Sequence, residues 1–144
     1  MFTEAELAYL TDQLLGRLAT QQPDGTLQVN PVGFRYNPDE KAIDITGHNL
    51  RETKKFRNIA TNDRVALVVD DVPSTNPWRV RCLEIRGRAE ALVDVGIPQG
   101  QYEHLPDVHF DDAVLRVHPE RILAFGVENW DQEPYELKMN VRSV

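Results

Sequence analysis

Cysteine is almost missing from this chain: Cys82 is the only one in 144 residues. No intrachain disulfide can form and no cysteine-rich zinc site can be built, which fits a reducing compartment. Long apolar runs are missing too. None approaches the ~20 residues of a membrane-spanning helix, and the opening MFTEAELAYL is acidic where a secretory leader is basic. A cytoplasmic protein with no membrane association is expected. Positive charge is in deficit, with 16 Lys and Arg against 23 Asp and Glu and a net charge of −7. Nucleic-acid binding, which neutralises phosphates with many cations, is therefore not expected. Neither the Walker nor the Rossmann glycine pattern occurs, so a phosphate would have to be held in another way.

What is present suits one domain over 1–144, long enough to bury roughly two-thirds of its unfolded surface. Thr3 and Glu6 form a capping-box pattern ahead of Leu7, Leu10 and Leu14, which predicts a helix over about Glu4 to Gln13. LLGRLAT and TLQVNPVGFRY flank the turn Pro23-Asp24-Gly25 and predict a hairpin. Pro31 has no N–H to give a ladder, so it belongs at an edge, bulge or bend. A strand is expected at Ala42 to Thr46. A helix capped by Asn49 is expected from about Leu50 to Ala60, with Phe56, Ile59 and Ala60 on one side and Arg51, Lys54, Lys55 and Asn58 on the other. VALVVDD reads as a strand covered on both faces, and VPSTNPW as a loop. Leu83, Ile85, Ala89 and Ala91 alternate with Glu84, Arg86, Arg88 and Glu90 as in a half-buried strand, and Gly87 marks a bulge or a close backbone approach. Residues 93–110 have no clean period. AVLRVHPERILAFGV reads as two strands broken at Pro119, and the tail from Asp131 as extended or frayed. Six or seven antiparallel strands with two short helices indicate a mainly β (α+β) fold, a small closed or partly closed barrel.

Chemistry concentrates between Thr46 and Asn58, where four basic residues fall within positions 51–57 and only Glu52 opposes them. Such a segment is either a solvated helix face or a phosphate site built from a helix N-terminus and nearby cations. His104 and His109 are spaced unlike a metal-binding pair on a helix, with Pro106 between them, so no metal is expected. Asp70 and Asp71 point to opposite faces of a strand and do not read as a catalytic pair. Cys82, beside Arg81, reads as a packing residue. Trp78 and Trp130 are core or interface anchors, or, for Trp78 in its loop, an aromatic that closes over a planar ligand.

GRLAT at 16–20, the PDG turn, QVNPVGF at 28–34, TKKFRN at 53–58, DRVALVVDD and EIRGRAE at 84–90 together resemble the pyridoxamine-5′-phosphate-oxidase-like superfamily. The closer likeness is to its deazaflavin-dependent oxidoreductase branch, including proteins similar to tetracycline-pathway dehydro reductases. The resemblance covers roughly positions 5–128. It implies a six-stranded split β-barrel of the FMN-binding-protein type, a homodimer with two cofactor clefts, and a small-molecule substrate. It implies that Thr53 and Lys55 hold the cofactor phosphate with help from Lys54 or Arg51. Asn30, Pro31 and Val32 would lie against the ring system, and Arg17 to Thr20 together with Thr46 and Gly47 would border the phosphate chain. The substrate-binding extensions of true pyridoxamine-phosphate oxidases are not apparent. The expected activity is hydride transfer between deazaflavin coenzyme F420 and an unsaturated or carbonyl compound. The alternatives are an FMN oxidoreductase of the same fold, or a non-catalytic binder of F420, haem or a tetrapyrrole.

Overall fold

The computed structural model describes residues 1–95, 110–128 and 132–144. Helix α1 (Glu4–Asp12) opens the chain. The Thr3 hydroxyl accepts from the Glu6 N–H at 3.2 Å while Glu6 Oε2 accepts from the Thr3 N–H at 3.0 Å, the reciprocal box the sequence predicts. The buried Glu6 carboxylate also meets Arg142, so the end of the described chain is tied to its start.

Among the described residues there are seven strands: β1 (Leu15–Gln21), β2 (Leu27–Asn37), β3 (Ala42–Thr46), β4 (Arg64–Thr75), β5 (Trp78–Leu92), β6 (Val114–Phe125) and β7 (Asn140–Ser143). Helix α2 (Lys54–Thr61) lies between β3 and β4 in sequence. The sheet runs β3-β2-β1-β4-β5-β6 with antiparallel ladders throughout, and β3 pairs back onto β6, closing six strands into a ring. β3 takes Leu115–Val117 of β6 and β7 takes Arg121–Ala124. Leu18, Ile43, Ile45, Leu67, Val69, Leu83, Ile85, Leu115, Val117 and Ile122 fill the ring, each almost wholly buried. This is the mainly β barrel with short helices that strand alternation predicts.

Several local expectations are corrected. The helix expected from Leu50 to Ala60 is a 3₁₀ turn at Leu50–Glu52 followed by α2, broken at the extended Thr53. Asn49 sits in the left-handed region and makes no side-chain cap; Thr53 caps α2 instead. With the register set from Thr53, Asn58 turns inward beside Ile59 and Ala60 faces solvent. β4 is not covered on both faces: Val65, Leu67 and Val69 are buried while Ala66 and Val68 are half-buried. VPSTNPW is not a loop, because β4 continues to Thr75 through a bulge after Asp71 and β5 begins at Trp78. Of the two readings of the tail, the extended one holds at Asn140–Ser143, where β7 forms. His104, His109 and most of the aperiodic 93–110 segment lie outside the described residues, as does Trp130.

Pro119 does not break β6. The ladder instead slips by one residue between Arg86 and Gly87, leaving Gly87 opposite Pro119, so a bulge absorbs the missing donor. A Cβ on Gly87 would sit 2.0 Å from the His118 carbonyl oxygen, a backbone atom that cannot swing aside. Gly87→Ala is therefore expected to lower stability by about 1–3 kcal/mol or more, measured as a fall in the urea midpoint with little change in slope. An unchanged midpoint would mean the bulge is not tight.

Candidate functional site

The ladders around β2 do not coincide, and a groove forms where they stop. β1 pairs with Leu27–Gly33 only, and β3 pairs with Gly33–Asn37 only. Pro31 thus lies where β2 has no β3 neighbour, as its missing N–H requires. Phe34 to Asn37 have no β1 neighbour, and the end of α1 borders that notch. The resulting cavity, about 1090 Å³, is walled by Leu10, Leu14 and Leu15 on one side. Its floor is β2 from Pro31 to Tyr36. The other wall runs through Thr46, Gly47, His48, Leu50, Thr53 and Lys55, and Phe110 adds a further aromatic surface.

The lining is apolar except at particular points. Gly33 sits between Pro31 and Arg35 on one face of β2, and a Cβ there would touch nothing within 4 Å. Its bare backbone therefore leaves a flat, open patch of floor. Thr53 donates its hydroxyl to the Leu50 carbonyl at 2.6 Å and accepts from the Phe56 N–H at 3.4 Å, which fixes the start of α2 and hence the direction of Lys55. Lys55 is half-buried at the groove wall, and burial pushes its ammonium below the ordinary lysine value. Among the described residues no carboxylate pairs with it, so this cation is desolvated without compensation.

Of the sequence-expected site residues, Pro31, Val32, Thr46, Gly47, Thr53 and Lys55 meet in this groove. Six do not line it within this chain. Asn30 is half-buried, one residue before the stretch of β2 that lines the groove. Arg17 is exposed and paired with Asp70. Thr20 is buried and accepts from Asn58 Nδ2 at 3.0 Å, a packing role. Arg51 gives its backbone N–H to Asp111 at 3.0 Å and its guanidinium to Asp112. Lys54 is exposed. Trp78 is 60% exposed at the β4–β5 hairpin. Sequence reasoning missed Arg35, Tyr36, His48 and the end of α1. For Arg35 a signal existed, since it shares a strand face with Pro31 and Gly33; for α1 none did, because its docking is tertiary.

The other singled-out groups are structural. Asp70 and Asp71 do diverge, Asp70 to Arg17 and Asp71 to Arg81. Tyr9 donates to Asp71 at 2.9 Å beneath the Arg81 guanidinium, 4.9 Å above its ring, and burial with the Asp71 contact pushes the phenol well up. Cys82 is not activated by Arg81. Burial, then Asp70 and Glu84, raise its thiol. No cluster of metal-ligating side chains and no helix long and apolar enough to cross a membrane occurs among the described residues.

With this geometry in hand, the model of the pyridoxamine 5′-phosphate oxidase family matches residues 2–126. The chain belongs to that family. It is 44% identical over 127 residues to a 5a,11a-dehydrotetracycline/5a,11a-dehydrooxytetracycline reductase of Streptomyces rimosus subsp. rimosus, an alignment covering 88% of this chain and 84% of the relative. The chain is accordingly an oxidoreductase of the split-barrel type. Solved structures share the fold at lower identity. A haem-binding protein from Mycobacterium smegmatis aligns at TM-score 0.64 and 16% identity over 99% of this chain, which spans only 59% of that protein. A FAD-binding protein from the same organism aligns at TM-score 0.57 and 19% identity, covering 85% of this chain and 93% of that one.

The Gly33 patch gives a direct check on whether the groove floor is functional. Gly33→Val is expected to leave thermal stability unchanged or slightly raised, because strand glycine is entropically costly and the new side chain meets only open space. The same substitution should weaken ligand binding in the groove at least about tenfold. Unaltered cofactor affinity, read by fluorescence titration, would show that the ligand does not lie on this floor.

Proposed function

We propose that this chain binds deazaflavin F420 in the groove and reduces an electron-poor C=C or C=O bond of a small, unsaturated organic molecule. The observation that carries the reading is Lys55: a half-buried cation with no carboxylate partner among the described residues, in a mostly apolar groove, suits an anionic group attached to a flat ring. The residues present fit such a cofactor. Lys55 would meet the phosphate, with Thr53 setting its position, and the bare floor at Gly33 beside Pro31 and Val32 would take the ring. A volume of about 1090 Å³ matches the upper end of ligand sites, roughly 300–1,000 Å³, leaving space for an acceptor beside the cofactor. The reductase from Streptomyces supports the reaction class, and its substrate name supports a polycyclic acceptor for this chain.

When bound in its reduced form, the deazaflavin would supply the hydride and leave as oxidised F420. With a proton from water, the net change is addition of two hydrogens across the acceptor double bond. The protein's own part is to orient the two molecules, exclude water through Leu10, Leu14, Phe34 and Leu50, and fix the anionic end at Lys55.

A homodimer is part of the proposal. Leu15, Arg17, Ala19 and Gln21 share a sheet face with Gly33, Pro31, Val29 and Leu27. On it Leu15, Leu27 and Val29 are 53%, 76% and 64% exposed. This apolar face runs into the groove at Leu15 and Pro31, so a second copy laid on it would roof the site. FMN is the second reading for the cofactor. The family name and the FAD-binding neighbour of the same fold favour a flavin.

Fluorescence titration with F420 and with FMN separates these readings. Binding of F420 at micromolar levels with no retained yellow flavin is expected; tight FMN binding without F420 binding would reverse the cofactor. Lys55→Ala should weaken F420 binding by about 1.5–3 kcal/mol, the loss of one charge-assisted contact. The pH dependence has a definite sign. Lys55 loses its proton more readily in the folded than in the unfolded chain, so its unfavourable effect on stability is relieved as pH rises between its lowered and ordinary values. A bound phosphate needs that proton, so affinity should fall as pH rises through the lowered value, earlier than an ordinary lysine would allow. Lys55→Arg should flatten the fall, and an identical profile in both proteins would remove Lys55 from the phosphate site.

A further inference from the structure

Arg35 is the groove residue with the least satisfied charge-bearing side chain after Lys55, and it lies on a different strand. Arg35 and Asp44 are register partners on β2 and β3, and Asp44 and Arg116 are register partners on β3 and β6, so one carboxylate stands between two guanidiniums on one sheet face. The carboxylate is shared unequally. Arg116 gives Asp44 two bonds, at 2.8 and 3.2 Å, and reaches Glu40 at 3.5 Å as well. Asn37 Nδ2 adds a bond at 2.8 Å. Arg35 gives Asp44 a single long contact of 3.3 Å from Nη2, and its Nε is buried with no hydrogen-bond partner. A guanidinium has five donors in a rigid fork, so one long bond leaves most of them unused. Nε is enclosed and out of a ligand's reach, so the donors available to an acceptor oxygen at the groove are those of Nη1 and Nη2. Asp44, already holding Arg116 and Asn37, has little left to give.

We propose that Arg35 forms an oxyanion subsite of the groove, taking the acidic or conjugated carbonyl oxygen of the acceptor, separate from the Lys55 end. The inference rests on the reductase reading above. Hydride addition to a carbon conjugated with a carbonyl forms a C–H bond and moves the π electron pair onto the carbonyl oxygen. The hydride would come from a C–H bond broken on the reduced deazaflavin, which gives up an N–H proton to solvent and ends oxidised by two electrons, while water delivers a proton to the neighbouring acceptor carbon. A guanidinium fixed beside that oxygen stabilises the charge as it develops. Asp44, itself held by Arg116 and Asn37, anchors Arg35 Nη2 at the groove wall.

The test uses oxytetracycline, the reduced counterpart of a substrate in the Streptomyces relative's name, as an acidic polycyclic probe alongside F420. Wild type, Arg35→Gln and Arg35→Lys are titrated with each ligand, and their melting temperatures are compared. Arg35→Gln is expected to lose roughly ten- to hundredfold in oxytetracycline affinity while keeping wild-type F420 affinity. Arg35→Lys, which keeps the charge but not the fork and preserves a partner for Asp44, should lose less and serves as the measurement if the glutamine variant unfolds. Equal oxytetracycline affinity in wild type and the variants overturns the subsite, as does a loss confined to F420 or a wild type that binds F420 but no oxytetracycline. Failure of F420 to bind wild type would instead defeat the cofactor reading, and the oxytetracycline arm would still decide Arg35.

Discussion

The short ladder between Ile43–Ile45 of β3 and Leu115–Val117 of β6 turns an open sheet into a ring, and the site depends on that closure. Without it β3 would be an edge strand, and the loop that follows it, from Gly47 to Thr53, would have no fixed place beside β2. Closure buries β3 on both faces. Its outward Asp44 then becomes a charge that has to be met, and Arg116, Arg35 and Asn37 meet it from three directions. A buried carboxylate surrounded in this way is weak evidence for added stability, because desolvation offsets much of the attraction. It does fix register, since a slip of one residue would send Asp44 into the apolar interior.

The groove follows from strands of unequal reach. β2 is longer than either ladder it makes, so each end projects past one neighbour, and the overlap at Gly33 is the only point where both ladders meet. Pro31 and Gly33 are poor strand residues by propensity, yet each stands where the ladder or a side chain would obstruct the groove. Function departs from local preference at such positions in many folds. Charge is distributed with the same economy. Arg17, Arg51 and Arg81 are matched to Asp70, Asp112 and Asp71, whereas among the described residues Lys55 has no carboxylate partner and Arg35 is only partly matched.

The barrel itself was legible because period-two alternation in β5 and the capping box of α1 are local signals, and Gly87 marked its own bulge. Misreadings came from residues that break structure locally but not here. Pro119 sits within β6 because the bulge at Gly87 removes the bond it cannot make, and VPSTNPW is strand because β4 and β5 pair beyond Asp71. Lys55 was legible as part of a basic cluster. That it alone of the cluster turns into the groove depends on Thr53 breaking the helix, which the pattern of charges does not reveal. Arg35 needed the β3–β6 closure to acquire meaning, and no periodicity in the sequence encodes a contact between residues so far apart in the chain.

The central claim is that an anionic, flat-ringed cofactor lies along β2 with its charged end at Lys55. A crystal structure of the protein soaked with F420 tests it most directly. The account requires the phosphate within hydrogen-bond distance of Lys55 Nζ and the ring against Pro31, Val32 and Gly33. A phosphate held instead by Arg17 or Lys54, or a ring lying away from β2, would contradict it.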